Sequence, residues 1–489
     1  MVLVNKPARP VAPRPERTGP TVGPDLPTAQ PGEFVPWLLV GAFAFVRGLV
    51  PLGDPDVWWH LRTGEWIVDH RALPHSDPWS FASGRQWIPH EWLSQLAMYT
   101  AYALGGYHGV MALHALLLAV IAATVVRQAR RRSGWLVTTC VTIGCLIGVS
   151  PGANERPQLA SFALLAYFGP RLLRAIDDGK PPWIFVPLIF VWANLHGLWA
   201  AAIVLYGAVV LARAVQLGRR WRVAVPFVVV GAGMVVAAAV TPSGPRLLLT
   251  PLTVRSYARF SSEWVAPSIF RVWTLACLAL LAVVVCGWAR SGRRVPVTEL
   301  AYVVTACLIG FGYNRTLPVA AVLLAPLAAS ALAGLTRSPA TAHPWPAPLK
   351  AIAGVVAVGA VLATAAYLPS ARGIESIAAS PAASRRLDAL PGHARVLNEY
   401  EFGGWLLWNA RDVSPGVDGR TEIYRAAYIQ RYYDTLALRG NWRGFVGDEQ
   451  FGAAWLYRQT PLAGGLVDEL HWKSVWSDQR TVILVPPDH

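Results

Sequence analysis

Asp54-Pro55-Asp56-Val57-Trp58-Trp59-His60-Leu61 sets two carboxylates, two indoles and an imidazole within seven positions, just after the first apolar segment. Ionisable groups beside a bilayer are costly, so such a cluster marks a candidate site. Pro55 keeps Asp54 extended, which puts the two carboxylates on a bend rather than inside a helix. Three kinds of chemistry suit them. A partly desolvated carboxylate can act as general base toward a hydroxyl. Asp54, Asp56 and His60 can instead hold a divalent cation, Mg or Mn, that neutralises a phosphate leaving group. Asp56 also precedes a helical run over Val57–Val68 and can cap it. The indoles of that run are expected at headgroup depth.

A phosphate leaving group needs cations near it. Arg156, Arg246, Arg315 and His196 are the candidates, with Arg62 from the first loop. Arg156 follows Glu155, so a local ion pair competes with that role. Glu263-Trp264 lies in a loop with Arg255 and Arg259, where it could line an acceptor groove.

These residues need a scaffold, and the composition says which kind. The 489 residues are 54% hydrophobic and 15% charged. Soluble domains carry about 25% charged residues, so a polytopic membrane protein is indicated. The net charge of +15 comes largely from Arg in short runs between apolar segments, which argues for membrane topology and against nucleic-acid binding. Cys140, Cys145, Cys277, Cys286 and Cys307 all lie in apolar segments, so neither a disulfide framework nor a metal–thiolate site is indicated. Residues 1–33 read as a disordered, Pro-rich basic cytoplasmic tail rather than a cleavable signal.

Segments long and apolar enough to span lie near 34–52, 107–126, 134–151, 157–174, 182–197, 198–214, 223–241, 270–289, 296–313, 317–335 and 350–369. The fifth and sixth join tightly at Asn194-Leu195-His196-Gly197. Residues 92–106, ending in a Gly pair, read as an interfacial helix. With the N-terminus inside, the basic clusters all become cytoplasmic: Arg127 with Arg130–Arg132, Arg171 with Lys180, Arg219–Arg222, Arg290–Arg294, and Arg337 with Lys350. The same parity places the loop 53–106, Glu155-Arg156, His196, Glu263, Arg315 and everything after residue 370 on the outer face. One extracytoplasmic cavity at membrane level is therefore expected. After residue 370, short strands at Arg395–Tyr400, Ala454–Leu456 and Thr481–Val485 and a helix over Ile423–Leu436 predict a small α/β domain. It would bind the acceptor or act as a stabilising lid.

The pattern Asp-Pro-Asp-x-Trp-Trp-His-Leu-x-x-Gly at 54–64 resembles the first outer loop of the polytopic GT-C glycosyltransferases. That superfamily includes protein mannosyltransferases, oligosaccharyltransferases and the lipid A aminoarabinose transferase. The chain is most similar to bacterial members with an Asn-x-His-Gly hairpin, a Glu-Trp outer loop and an Asp-Gly-Arg segment. Here these are Asn194–Gly197, Glu263-Trp264 and Asp418-Gly419-Arg420. The resemblance implies a GT-C-like membrane domain over 34–369, an extracytoplasmic domain over 370–489, and a polyprenyl-(pyro)phosphate sugar donor. The acceptor would be an envelope glycan, lipid or protein. It implies the base role for Asp56 ahead of Asp54, because Trp58-Trp59-His60 departs from the better-understood branches.

No nucleotide-binding loop, kinase signature or Gly-x-Ser-x-Gly elbow occurs, which disfavours cytosolic nucleotide-sugars. High Ala, Arg, Trp and Pro usage suggests a GC-rich bacterial source, so a bacterial plasma membrane is the expected location. A flippase of lipid-linked saccharides and a non-catalytic envelope scaffold are the competing expectations. The first predicts ionisable residues in mid-span and internal repeats. Arg47 and His114 are the exceptions to otherwise apolar spans, and no repeat is visible.

Overall fold

The computed structural model describes residues 34–48, 52–82, 86–250, 260, 262–292, 294–336, 381–390 and 393–487. The expected tail 1–33, the span 350–369, and Arg255 and Arg259 lie outside the described residues.

Helices α1 (Val35–Gly48), α2 (Asp56–His70), α3 (Trp92–Arg130), α4 (Trp135–Val149) and α5 (Gln158–Asp178) open the chain. Then come α6 (Phe185–Leu195), α7 (Trp199–Leu217), α8 (Val225–Ala239), α9 (Val272–Ser291), α10 (Val297–Gly310) and α11 (Leu317–Leu335). Among the described residues, six helical stretches are long and apolar enough to cross a membrane, and three shorter apolar helices accompany them. In α3 the helical dihedrals fail at Gly105 and Gly106, with Gly106 at φ 59°. Glycine takes that value without a Cβ penalty. The Gly pair thus divides residues 92–104 from the apolar stretch that follows, at the point where the sequence breaks the two.

The bundle is built around α11. From Leu317 to Ala329 its residues are buried, and it packs against α4 and α9. Small residues make the close approach possible. A Cβ at Gly148 of α4 would meet Ala321 and Cys277, and one at Gly310 would meet the backbone of Ala320. Outward-facing Val228, Val236, Leu275 and Leu308 stay exposed, as a bilayer face requires.

Outside the bundle, α12 (Pro381–Asp388), α13 (Gly403–Asn409), α14 (Ala426–Leu436), α15 (Trp442–Asp448) and α16 (Pro461–Leu470) surround a five-stranded sheet. Its strands are β1 (Arg395–Asn398), β2 (Ser414–Pro415), β3 (Ala453–Tyr457), β4 (Lys473–Ser477) and β5 (Thr481–Val485), in the order β2-β1-β3-β5-β4. β1 runs parallel to β2 and β3, whereas β3–β5 and β5–β4 are antiparallel. Side chains alternate between faces along a strand. Val396, Ala453, Trp455 and Ile483 enter one core, and Leu397, Ala454, Leu456 and Leu484 enter another.

The first of those cores is shared with α2. Trp58 is 1% exposed and meets Trp405 of α13 edge-on at 4.7 Å and Tyr107 of α3 at 5.7 Å. Gly404 lets α13 approach the Pro55 carbonyl, and Gly64 lets α2 lie on the Gln95 carbonyl. The expectation that the indoles of α2 rest among headgroups is corrected. The C-terminal sheet domain covers α2, so Trp58 and Trp59 are buried in protein.

Candidate functional site

A cavity of about 780 Å³ lies between the bundle and the sheet domain. The start of α2, the ends of spans and loops of the C-terminal domain all contribute walls. Of the residues singled out by sequence, Asp56, His60, Arg156, His196, Glu263, Trp264 and Arg315 line it.

Arg156, just before α5, organises its acidic side. Nε donates to Asp54 Oδ2 at 2.6 Å, Nη2 lies 3.2 Å from Asp56 Oδ2, and Nη1 reaches Glu263 Oε1 at 2.8 Å. All three guanidinium nitrogens thus face carboxylates. Buried cations need such partners, and the three anions hold the Arg156 proton more tightly than usual despite its burial.

The two aspartates divide their work. Asp54 is buried; its Oδ1 accepts the Asp56 N–H at 2.9 Å, and its own N–H donates to Glu155 Oε2 at 3.3 Å. It is the turn-forming residue that starts α2. Asp56 is the first helical residue and makes no side-chain cap, so the capping expectation passes to Asp54 as a turn. Asp56 faces the cavity instead. Burial pushes its carboxyl up to about 7, opposed by Arg156 and reinforced by Asp54.

Gly419 forms the floor beneath it. A Cβ there would strike the Asp56 carboxylate and the Trp59 indole. The Asp-Gly-Arg segment therefore brings the C-terminal domain onto the candidate base. Beside it Tyr400 lies in the cavity wall, its hydroxyl 3.0 Å from that of Thr421, and burial and then Asp56 push its phenol well up.

Arg315 donates to Glu263 Oε2 at 2.9 Å, stacks over Trp264 at 5.8 Å and keeps 28% of its side chain exposed. Burial alone would raise the Glu263 carboxyl, but Arg156 and Arg315 outweigh it and hold Glu263 low. His60 tilts against Trp59 at 3.6 Å between ring centroids, with Nδ1 3.5 Å from Gln95 Nε2. Burial, and then Arg156, keep its imidazole neutral.

Three expected residues do not line the cavity. Asp54 is held behind Arg156, Arg62 pairs with Glu65 at 2.6 Å, and exposed Arg246 reaches Gln86 at 3.4 Å. The expected Asp54–Asp56–His60 set is not drawn into one cluster. Among the described residues no three His, Cys, Asp or Glu side chains gather closely enough to hold a metal ion. Arg156 supplies the positive charge between the two aspartates, and His60 is turned to Gln95.

His196 closes the opposite wall at the α6–α7 turn. The Ser161 hydroxyl lies 2.9 Å from Nδ1, and Leu198 N–H donates to the same nitrogen at 3.3 Å. Asn194 anchors this turn by accepting the Trp92 indole N–H at 2.6 Å. Sequence reasoning missed His90, Glu91, Glu399, Tyr400 and Glu422 as lining groups. His90-Glu91 stands in the outer loop as an ordinary polar pair. The others come from a domain whose docking no local pattern discloses.

No sequence-family model matches the chain, and no curated protein matches it. Among solved structures, the apo oligosaccharyltransferase of Archaeoglobus fulgidus is similar at TM-score 0.51 and 12% identity, over 86% of this chain and 69% of that one. ArnT from Cupriavidus metallidurans, bound to undecaprenyl phosphate, aligns at TM-score 0.49 and 13% identity, over 93% of this chain and 98% of that one. Weight falls on the first alone, and it speaks to fold. Together with the apolar helices, it gives this chain the fold of a polytopic α-helical membrane protein, GT-C-like in architecture, with a small C-terminal α/β domain.

Proposed function

We propose that the protein is a membrane glycosyltransferase that moves a sugar from a polyprenyl-(pyro)phosphate donor to a hydroxyl of an envelope glycan, lipid or protein. The site would face outward from a bacterial plasma membrane, with the N-terminus in the cytoplasm. One observation carries this reading. A buried carboxyl near its midpoint at neutral pH, Asp56, faces a large cavity in a GT-C fold. Such a group can take a proton during bond exchange.

Asp56 accepts the proton of the acceptor hydroxyl as that oxygen bonds to the anomeric carbon. The bond from that carbon to the donor phosphate breaks, and its electron pair leaves with the polyprenyl (pyro)phosphate. Arg315, partly exposed beside Trp264, is suited to hold that anion. Arg156 is reassigned from phosphate ligand to organiser of the carboxylates, because its nitrogens are already engaged. No step is assigned to a divalent cation.

The test is turnover in proteoliposomes with labelled polyprenyl-phosphate sugars and an envelope acceptor fraction. Transfer by the wild type, lost in Asp56→Asn, supports the reading. Donor crossing the bilayer without transfer would replace it with the flippase reading.

A further inference from the structure

The cavity has a second ionisable corner that the proposed transfer leaves unused. Glu91 occupies the N-terminal boundary of α3, where a carboxylate ordinarily accepts N–H groups of the first turn. Here the backbone carbonyl does that work, taking the N–H of Ser94 at 2.9 Å and of Gln95 at 3.1 Å, and the side chain makes no cap bond. The carboxylate lines the cavity instead, although the residue is only 9% exposed. His90 Nε2 and His196 Nε2 each lie 3.6 Å from its Oε1. That separation is too long for a hydrogen bond. The Glu91 carboxylate thus faces two imidazoles at a distance that leaves its oxygens open to a group in the cavity.

The neighbouring histidine is held in one orientation. Trp192 donates its indole N–H to Ser161 Oγ at 2.7 Å, so the Ser161 hydroxyl is free to donate to His196 Nδ1, which also receives the Leu198 N–H. With Nδ1 accepting, the proton of the neutral ring sits on Nε2, the nitrogen nearest Glu91. Burial keeps the ring neutral, and burial also raises the Glu91 carboxyl. The corner thus offers an acceptor and a donor toward one point. A cation would meet the imidazole N–H, and an anion would meet the carboxylate. A hydroxyl donates and accepts at once, and satisfies both.

We propose that Glu91, with His196 and His90, forms a subsite for neutral hydroxyl groups of a sugar ring, and that Glu91 sets which ring is accepted. The inference rests on the glycosyltransferase reading only for the origin of that ring, the donor sugar or a glycan acceptor.

The test is equilibrium binding of a panel of methyl pentosides and hexosides, with their monodeoxy analogues, to the full chain in nanodiscs. Wild type, Glu91→Gln and Glu91→Ala are compared, Glu91→Gln preserving the shape of the side chain. At least one glycoside is expected to bind and to lose roughly tenfold or more in affinity in Glu91→Ala. The matching deoxy analogue should lose as much in the wild type and little further in the variant. Glycoside affinities unchanged in both Glu91 variants, or a panel that does not bind at all, would overturn the subsite. Turnover separates the two readings. Failed transfer with Glu91-dependent binding intact sinks only the transfer reading. Transfer with donor and acceptor KM unmoved by either Glu91 change sinks only the subsite. A rise confined to donor KM or to acceptor KM identifies the source of the ring.

Discussion

Two arginines in this protein are each clamped by carboxylates, and they do opposite things. Arg420 is fully buried, bonded to Asp418 at 2.6 and 2.9 Å and to Asp77 at 2.7 Å, and it sits over the rings of Trp79 and Trp87 at 4.9 and 4.8 Å. Tyr424 adds its hydroxyl to Asp418 at 2.8 Å, so the cluster is closed. It bolts the Asp-Gly-Arg turn of the C-terminal domain to Asp77 of the first outer loop. Arg156 gathers Asp54, Asp56 and Glu263, but its cluster opens on the cavity and leaves Asp56 facing space. A charge network closed on all sides fixes structure, because no group in it can change partner or proton cheaply. One left open on a single side keeps a group that can titrate and meet a ligand.

The sharpest way to break this comparison is Asp56→Asn. Loss of a general base costs about 10²- to 10⁴-fold in kcat. Stability should not fall with it. The Asp56 carboxyl is raised in the fold, so its contribution to stability is present below the unfolded value of 3.8 and is lost as pH rises through about 7. At pH 8 the neutral Asn removes that cost, and thermal unfolding should occur at the same temperature or higher. A variant both inactive and unstable would make Asp56 another Arg420.

Arg420→Ala should do the reverse. It strands Asp418 and Asp77 in a dry site, and breaking a buried pair costs about 3–5 kcal/mol. Unfolding of the outer domain, followed by Trp fluorescence, reads it. A loss under about 1 kcal/mol would remove the bolt.

Gly419→Ala joins the two regions, since the added methyl lies against Asp56 while the bolt is intact. Displacement of a reacting group by an ångström costs on the order of 10²-fold. The expected outcome is a kcat decrease of that size with donor KM little changed, measured in the proteoliposome assay.

The smallest effect is a shift in a pH profile. On the proposed transfer the reacting form carries ionised Asp56, so kcat/KM should fall tenfold per pH unit below a midpoint near 7 and level off above it. Glu263 is among the charges that raise Asp56. Glu263→Gln should therefore move the midpoint to lower pH by less than about one unit. A midpoint that stays or rises would show that Arg156 loosens when it loses Glu263.

Much of this was legible before any coordinates. Apolar runs of about 20 residues located the six long apolar stretches, because a bilayer demands that length. The Gly pair marked the break in α3, and charge parity put Asp56, Arg156, His196, Glu263 and Arg315 on one face, where the structure gathers them around one cavity. The roles inside that set were not legible. Nothing local distinguishes Asp54, turned inward to Arg156 and the Asp56 N–H, from Asp56, two residues on and facing the cavity. Nor does any local pattern disclose that Arg156 comes from about a hundred residues away to stand between the two aspartates.

By itself the sequence determined the class of protein, the rough limits of most described apolar helices, and a set of ionisable groups that line one cavity. Hydrophobic length and charge asymmetry act locally and survive any packing. Tertiary structure alone decided which carboxylate meets the cavity, that α2 shares a core with a sheet more than 300 residues away, and that Glu91 and His196 converge. Those depend on contacts between distant segments, where burial sets each proton affinity and close packing admits only one arrangement.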